Sequence, residues 1–306
     1  MPSTHDYISD PRNDNVFIYI NGDFFYRSEA KVSVLDSGFL LGDGVWEGIR
    51  LHNGCLIHVD RHLDRLYDGA KKLRMKIGVE KFELRAIILK TIKKNIIFSD
   101  VHIRLIVTRG LKKTPYQSPK INIGKSTIVI IPEYKKPNKE VIKKGISIAT
   151  VKTIRDHVVQ DPKINSLSKF NCIAACIEAE ELGVDEGLML DPNGYVATCN
   201  STNFFIIRSG KIWTSTGEYC LNGVTRHAVI ELCKNYNIPV FKKNFTVKDV
   251  LSCDEAFVTG TFAGIIPVIN INKNKIGNGT PGFITKNLQD YYFLSIEKIS
   301  SKYNEI

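Results

Sequence analysis

A chain of 306 residues, 43% apolar and 24% charged, can bury one large core or two ordinary ones; this composition excludes a disordered or fibrous polymer. The net charge of +10 raises nucleic acid or an anionic membrane as partners, but the lysines are dispersed as doublets such as Lys71-Lys72 and Lys143-Lys144, with no basic block and no RNA-recognition pattern. Seven irregularly spaced cysteines without a CxxC pair, no apolar run of membrane-spanning length and no N-terminal apolar signal point to a reducing, cytoplasmic setting without metal, nucleic acid or membrane partners.

The first ten or so residues are polar and read as loose. Residues 16–20 are β-branched and aromatic, and Asn21-Gly22 supplies the positive φ of a tight hairpin turn. Residues 32–35 start another strand, broken by Gly38, and Asn53-Gly54 marks a second hairpin. Helical periodicity takes over at Asp60, with Leu63, Leu66, Ala70 and Leu73 on one face. A second helix covers residues 81–95 through Leu84, Ile87, Ile88 and Ile92. Residues 102–109 and 127–131 are strands, and the polar run from Glu133 is the best linker.

The second half begins with a strand at 146–152 and a stretch, Asp161-Pro-Lys-Ile-Asn-Ser-Leu-Ser-Lys169, that leads into an amphipathic helix. Short strands follow at 186–190, 195–199, 203–208 and 211–214. A helix opens at Asn222 and runs to about Asn235, a strand occupies 255–258, and a last helix covers 284–300. The reading is α+β, with a small antiparallel N-terminal domain over 1–132, a linker over 133–145, and a larger strand-rich domain over 146–306.

Three small elements suit an anion. Gly223-Val224-Thr225 opens a helix, where unpaired N–H groups and the helix dipole favour phosphate. Gly260-Thr261 is a turn after a strand with a hydroxyl to donate. Arg65 lies on a helix and can make a bidentate, charge-assisted bond. Each has a plainer reading: Thr225 as an ordinary cap, Thr261 as a turn residue, Arg65 as a surface cation. His58 and His62 are four apart, but no third metal ligand is near. Cys172 and Cys176 share a helix face as core thiols.

Together these pieces form a larger pattern. Val34-Leu-Asp-Ser-Gly-Phe-Leu-Leu-Gly-Asp-Gly-Val-Trp-Glu-Gly-Ile-Arg50 resembles the N-terminal signature of the class IV aminotransferases. So do His62-Leu-Asp-Arg65, Ile103-Arg-Leu-Ile-Val-Thr-Arg-Gly110, Asp185-Glu-Gly-Leu-Met-Leu-Asp191, Leu221-Asn-Gly-Val-Thr-Arg226 and Thr259-Gly-Thr261. These are the fold type IV pyridoxal phosphate enzymes, and the likeness is greatest to branched-chain and D-amino acid aminotransferases. The resemblance implies a two-domain α/β protomer, usually a homodimer, holding pyridoxal 5'-phosphate between its domains. It implies a transfer of an amino group between an amino acid and a 2-oxo acid. It places Arg65, Val224, Thr225 and Thr261 on the cofactor phosphate, and Arg104 and Arg109 facing or bordering the substrate. The branched-chain Tyr-x-Arg stands here as His102-Ile-Arg104.

Two departures bear on the chemistry. The family pattern Ile-Lys-Ser-Leu-Asn reads Ile164-Asn165-Ser166-Leu167-Ser168, and an amide cannot form the imine that a lysine makes with the cofactor. The glutamate expected against the pyridine nitrogen is Thr198, which can hydrogen-bond but not balance a positive charge. Lys169 is one replacement: read as helix, it lies one turn beyond Asn165, roughly 6 Å along the axis and on a similar face. Lys163 is another, about 6–7 Å from position 165 in extended chain. With neither amine in place, the chain is a cofactor-binding relative that does not transaminate.

Overall fold

The computed structural model describes residues 9–158 and 160–302. Most of the polar leader read as loose, residues 1–8, lies outside them. The chain divides into two compact units. The first comprises Ser9–Lys136, Ile164–Lys169 and the end of the last helix from Ile296; the second comprises Pro137–Lys163 and Phe170–Ser295.

In the first unit, β1 (Phe17–Ile20) and β2 (Asp23–Tyr26) turn at Asn21-Gly22, whose φ values of 52° and 117° are those that the Asn-Gly pair predicts. A short helix α1 (Ser37–Leu41) precedes β3 (Gly44–His52) and β4 (Cys55–Leu56). Then come α2 (Val59–Lys72), α3 (Lys81–Lys94), β5 (Val101–Thr108), the small pair β6 (Leu111–Lys112) and β7 (Asn122–Ile123), and β8 (Thr127–Tyr134). The main sheet runs β2-β1-β8-β5-β3-β4 and is antiparallel throughout. Leu63, Leu66 and Ala70 of α2 and Leu84, Ile88 and Ile92 of α3 share one core with Val45, Ile49 and Leu51 of β3 and the alternate residues of β5. The period-3.6 and period-2 patterns therefore meet on the same buried face.

Residues 32–35 are not a strand. Asp36 takes over there: its carboxylate accepts from the Gly38 N–H at 2.8 Å and the Thr108 hydroxyl at 3.0 Å, which starts α1.

In the second unit, α4 (Lys139–Lys144) leads to β9 (Ile146–Thr150), α5 (Phe170–Glu181), β10 (Glu186–Leu190), β11 (Val196–Cys199), β12 (Asn203–Arg208) and β13 (Lys211–Thr214). These are followed by α6 (Val224–Asn235), β14 (Val240–Lys242), α7 (Val247–Leu251), β15 (Glu255–Gly260), β16 (Gly264–Ile271), β17 (Asn274–Lys275) and α8 (Phe283–Lys302). The sheet order is β11-β10-β9-β16-β15-β12-β13-β14, with β17 beside β16. Strand β9 is parallel to β10 and β16, and β13 to β14; the other pairs are antiparallel. The chain passes between the units at several points, one of them at Lys136 and Pro137, within residues 133–145. That stretch carries structure, because β8 runs on to Tyr134 and Asn138 caps α4 by accepting from Glu140 N–H at 2.9 Å.

Candidate active site

The stretch from Ile164 to Lys169 meets the start of β3 through a single antiparallel bridge. Trp46 N–H donates to Asn165 O at 3.0 Å, Leu167 N–H donates to Gly44 O at 2.9 Å, and Ser166 faces Val45 in an antiparallel bridge. The next carbonyl of β3, Trp46 O, takes the side-chain amide of Asn165 at 2.7 Å. Asn165 thus extends the bridge with its side chain, as a backbone N–H would. The two glycines of Gly42-Asp-Gly44 make this approach possible. A Cβ on Gly44 would lie 2.6 Å from Val107 O and 2.7 Å from Leu167 Cδ1, while one on Gly42, at φ 64°, would lie 3.2 Å from the backbone of Ser168. Ile164 is buried in the core of the first unit.

This pairing corrects the geometry expected for Lys169. Residues 165–169 are not helical; α5 starts at Phe170, and Lys169 is the residue before it. Its amine nevertheless returns to Asn165, with Nζ donating to Oδ1 at 3.1 Å. Nζ also lies 5.3 Å from the centre of the Trp46 ring, and the Arg104 guanidinium lies 3.8 Å from that same centre. Trp46, Gly48 and Arg50 of β3 share a sheet face with His102, Arg104 and Ile106 of β5, their direct partners. His102 lies over Gly48, where a Cβ would meet its Nε2 at 2.7 Å. Lys163, the other candidate amine, pairs with Glu218 at 3.3 Å.

On the opposite face of β3, Glu47 is fully buried and joins two residues of α2. Arg65 donates from Nε and Nη2 at 2.8 and 2.7 Å, and His62 Nδ1 donates at 2.7 Å. Burial would raise the Glu47 pKa, but the Arg65 charge and the hydrogen bonds from Arg65 and His62 outweigh it and hold it at about 2. Burial also depresses the His62 pKa, against the pull of Glu47. Arg109 is committed to structure: it grips Asp43 from Nε and Nη2 at 2.7 and 3.0 Å and donates to Leu73 O and Arg74 O at the end of α2.

In the second unit Thr198 is buried on β11, and its hydroxyl donates to Thr202 O at 2.8 Å. A carboxylate buried near it is Glu186 of β10, which accepts from Ser201 and Thr202 hydroxyls at 2.8 and 2.6 Å. Helix α6 begins at Val224 with Gly223 as its cap and no side chain capping its first N–H groups. Asn203 holds this helix start from below: its amide donates to Leu221 O at 2.9 Å, and a Cβ on Gly223 would fall 2.1 Å from its Oδ1. Arg226, buried in the first turn, bonds Thr214 Oγ1 at 3.3 Å and the carbonyl of Ser215. Thr259, at the end of β15 just before Gly260-Thr261, has a buried hydroxyl with no hydrogen-bond partner.

Glu47, Trp46, Asn203, Arg226 and Glu186 were not singled out from the sequence. Glu47 carried a readable signal, because it stands at a core-facing position in the alternation Val45, Glu47, Ile49, Leu51, where an unpaired acid would not survive.

The sequence pattern of the family Amino-transferase class IV matches residues 44–271. The chain belongs to that family. It is 39% identical over 277 residues, 90% of this chain and 94% of the relative, to a Methanocaldococcus jannaschii protein described provisionally as a branched-chain-amino-acid aminotransferase. It is 35% identical over 283 residues to branched-chain-amino-acid aminotransferase-like protein 2 of Arabidopsis thaliana, covering 92% of this chain and 50% of that one. The chain therefore spans about half the length of that relative, and 51% of its companion, like protein 1. Among solved structures, the T.th. branched-chain amino acid aminotransferase with pyridoxamine 5'-phosphate superposes with a TM-score of 0.87 at 30% identity, covering 93% of this chain and 95% of that one. The mixed helices and sheets of this chain match those structures over more than nine-tenths of its length, in keeping with the α+β reading of the sequence.

Proposed function

We propose that the chain is a pyridoxal 5'-phosphate-dependent aminotransferase of branched-chain type, exchanging an amino group between an amino acid and a 2-oxo acid. One observation carries this reading: the amine of Lys169 lies 3.1 Å from the side chain of Asn165, the residue standing where the family pattern has its lysine. That distance supports Lys169, four residues further on, as the amine that takes the family lysine's role.

The residues present suit the cofactor. The uncapped N–H groups of Val224 and Thr225 are donors for a phosphate, and the unpartnered Thr259 hydroxyl marks the same stretch as Thr261 as one built for a further acceptor or donor. Val224, Thr225 and Thr261 would hold the phosphate; Arg65 is assigned to it by family likeness. When bound, pyridoxal phosphate supplies an aldehyde and a ring that withdraws electrons from the substrate α-carbon. Lys169 Nζ would supply the amine that holds the cofactor and would move the proton at that carbon. By family likeness Thr198 would serve the ring nitrogen; with its own proton given to Thr202 O, its oxygen could act only as an acceptor. Arg104, its guanidinium over the Trp46 ring, would take the substrate carboxylate, with His102 on the same sheet face. Arg109 serves by fixing Asp43 and the end of α2. The branched-chain assignment follows the relatives' names, and a cytoplasmic homodimer is the form we assign to the working protein.

The test is amino-group transfer by purified protein with pyridoxal phosphate, using L-leucine, L-valine, L-isoleucine and D-alanine as donors and 2-oxoglutarate as acceptor. Transfer from the branched-chain L-amino acids, reduced at least a hundredfold in Lys169→Ala, is expected. No transfer from any donor, or undiminished transfer by Lys169→Ala, overturns the reading.

A further inference from the structure

We propose that Asn165 is a positioning residue whose amide oxygen aims the Lys169 amine, so that a neutral acceptor now occupies the place of the family's lysine. The inference rests on the aminotransferase reading and concerns how Lys169 is held.

The orientation of the amide is settled by its partners. Nδ2 donates to Trp46 O at 2.7 Å, and Oδ1 receives Lys169 Nζ at 3.1 Å. The flipped amide would set Oδ1 against the Trp46 carbonyl, two acceptors facing each other in place of a bond. Asn165 is itself buried, and its backbone carbonyl accepts from Trp46 N–H at 3.0 Å. The amide is therefore fixed to β3 at two points, and its oxygen is a rigid mark.

Lys169 needs such a mark. It lies outside α5, with no helical backbone to fix its direction, and its side chain has four rotatable bonds to order. The Trp46 ring, 5.3 Å from Nζ, limits the amine on one side and Asn165 Oδ1 on another. An amide oxygen accepts an N–H from either protonation state of the amine. A carboxylate at the same place would favour the ammonium, which is not a nucleophile. Asparagine is thus suited to hold an amine that must lose its proton to react.

The experiment is reductive labelling of the protein with pyridoxal phosphate and borohydride, with peptide mapping of the labelled lysine, in wild type, Asn165→Leu and Asn165→Asp. Affinity for 4-deoxypyridoxine phosphate, which has no aldehyde, is measured in parallel. Wild type is expected to carry the label on Lys169. Asn165→Leu should label at least tenfold more slowly while binding the analogue within threefold of wild type. Asn165→Asp, which keeps an acceptor, should label faster than Asn165→Leu at pH 9. Equal labelling of wild type and Asn165→Leu overturns the proposal and leaves the aminotransferase reading standing. A parallel loss of analogue affinity, or equal rates in the Leu and Asp variants, assigns Asn165 a structural role only and also overturns it. Wild type without label on Lys169 instead removes the underlying reading. Should Asn165→Leu fail to fold, Asn165→Ala takes its place and is read by the same labelling rate and analogue affinity.

Discussion

Replacing Glu47 by glutamine removes a charge and leaves the shape nearly unchanged. The carboxylate is fully buried, with its oxygens given to Arg65 and His62, so the amide must turn an NH2 group toward one of those donors. A fall in pKa from 4.5 to about 2, at about 1.36 kcal/mol per unit, corresponds to roughly 3 kcal/mol of native stability. Because the folded pKa is the lower one, this stability is fully present above pH 4.5 and is lost as pH falls toward 2. Glu47→Gln should therefore be about 3 kcal/mol less stable than the parent at pH 7, with the gap closing steadily below pH 4.5. The protein has two tryptophans, Trp46 in the first unit and Trp213 in the second. In a Trp213→Phe background, urea unfolding followed by Trp46 fluorescence reports the first unit alone. A gap that is the same at pH 3 as at pH 7 would refute the reasoning.

Gly44→Ala forces a Cβ to 2.6 Å from Val107 O and against Leu167, so the pairing of residues 165–167 with β3 must loosen. A loss of about 1–3 kcal/mol is expected in the same unfolding assay. Gly223→Ala drives into Asn203 Oδ1 and displaces the start of α6; affinity for pyridoxal phosphate should fall at least tenfold in equilibrium dialysis, with the far-ultraviolet circular dichroism unchanged. Thr198→Glu buries a carboxylate beside Thr202 O and should cost the cofactor-free protein about 1–3 kcal/mol, seen as a lowered Tm. Saturating pyridoxal phosphate should then raise the Tm of the variant more than that of the wild type, since the new carboxylate gains a partner.

Much of the fold was legible because the signals were local. The Asn21-Gly22 turn, the apolar face of α2 and the strands from Glu186 to Thr214 follow from turn chemistry and periodicity alone. Residues 32–35 misled because their β-branched content is overridden by Asp36, which bonds Thr108 from across the unit. Helix α4 was hidden in a polar run whose only cue was the cap at Asn138. In the site, the absence of a lysine at position 165 was visible at once, and so was Lys169 as its candidate substitute. The route was not visible. A helical turn was the natural interpolation from Asn165 to Lys169, whereas the chain pairs with β3 and the side chain makes the return. That pairing depends on a strand whose Trp46 lies 119 residues before Asn165, and spacing within the segment carries no trace of it. The same holds for Arg109, whose family position bordered the substrate but whose donors are taken up by Asp43 and the end of α2.

The most direct measurement is the ultraviolet–visible spectrum of the purified protein with pyridoxal phosphate, followed by borohydride reduction and peptide mapping, in wild type and Lys169→Ala. The account predicts an absorbance band near the visible in wild type that disappears on reduction, with the label on the peptide bearing Lys169, and neither band nor label in Lys169→Ala. A wild-type protein labelled on Lys163, or on no lysine, would contradict it.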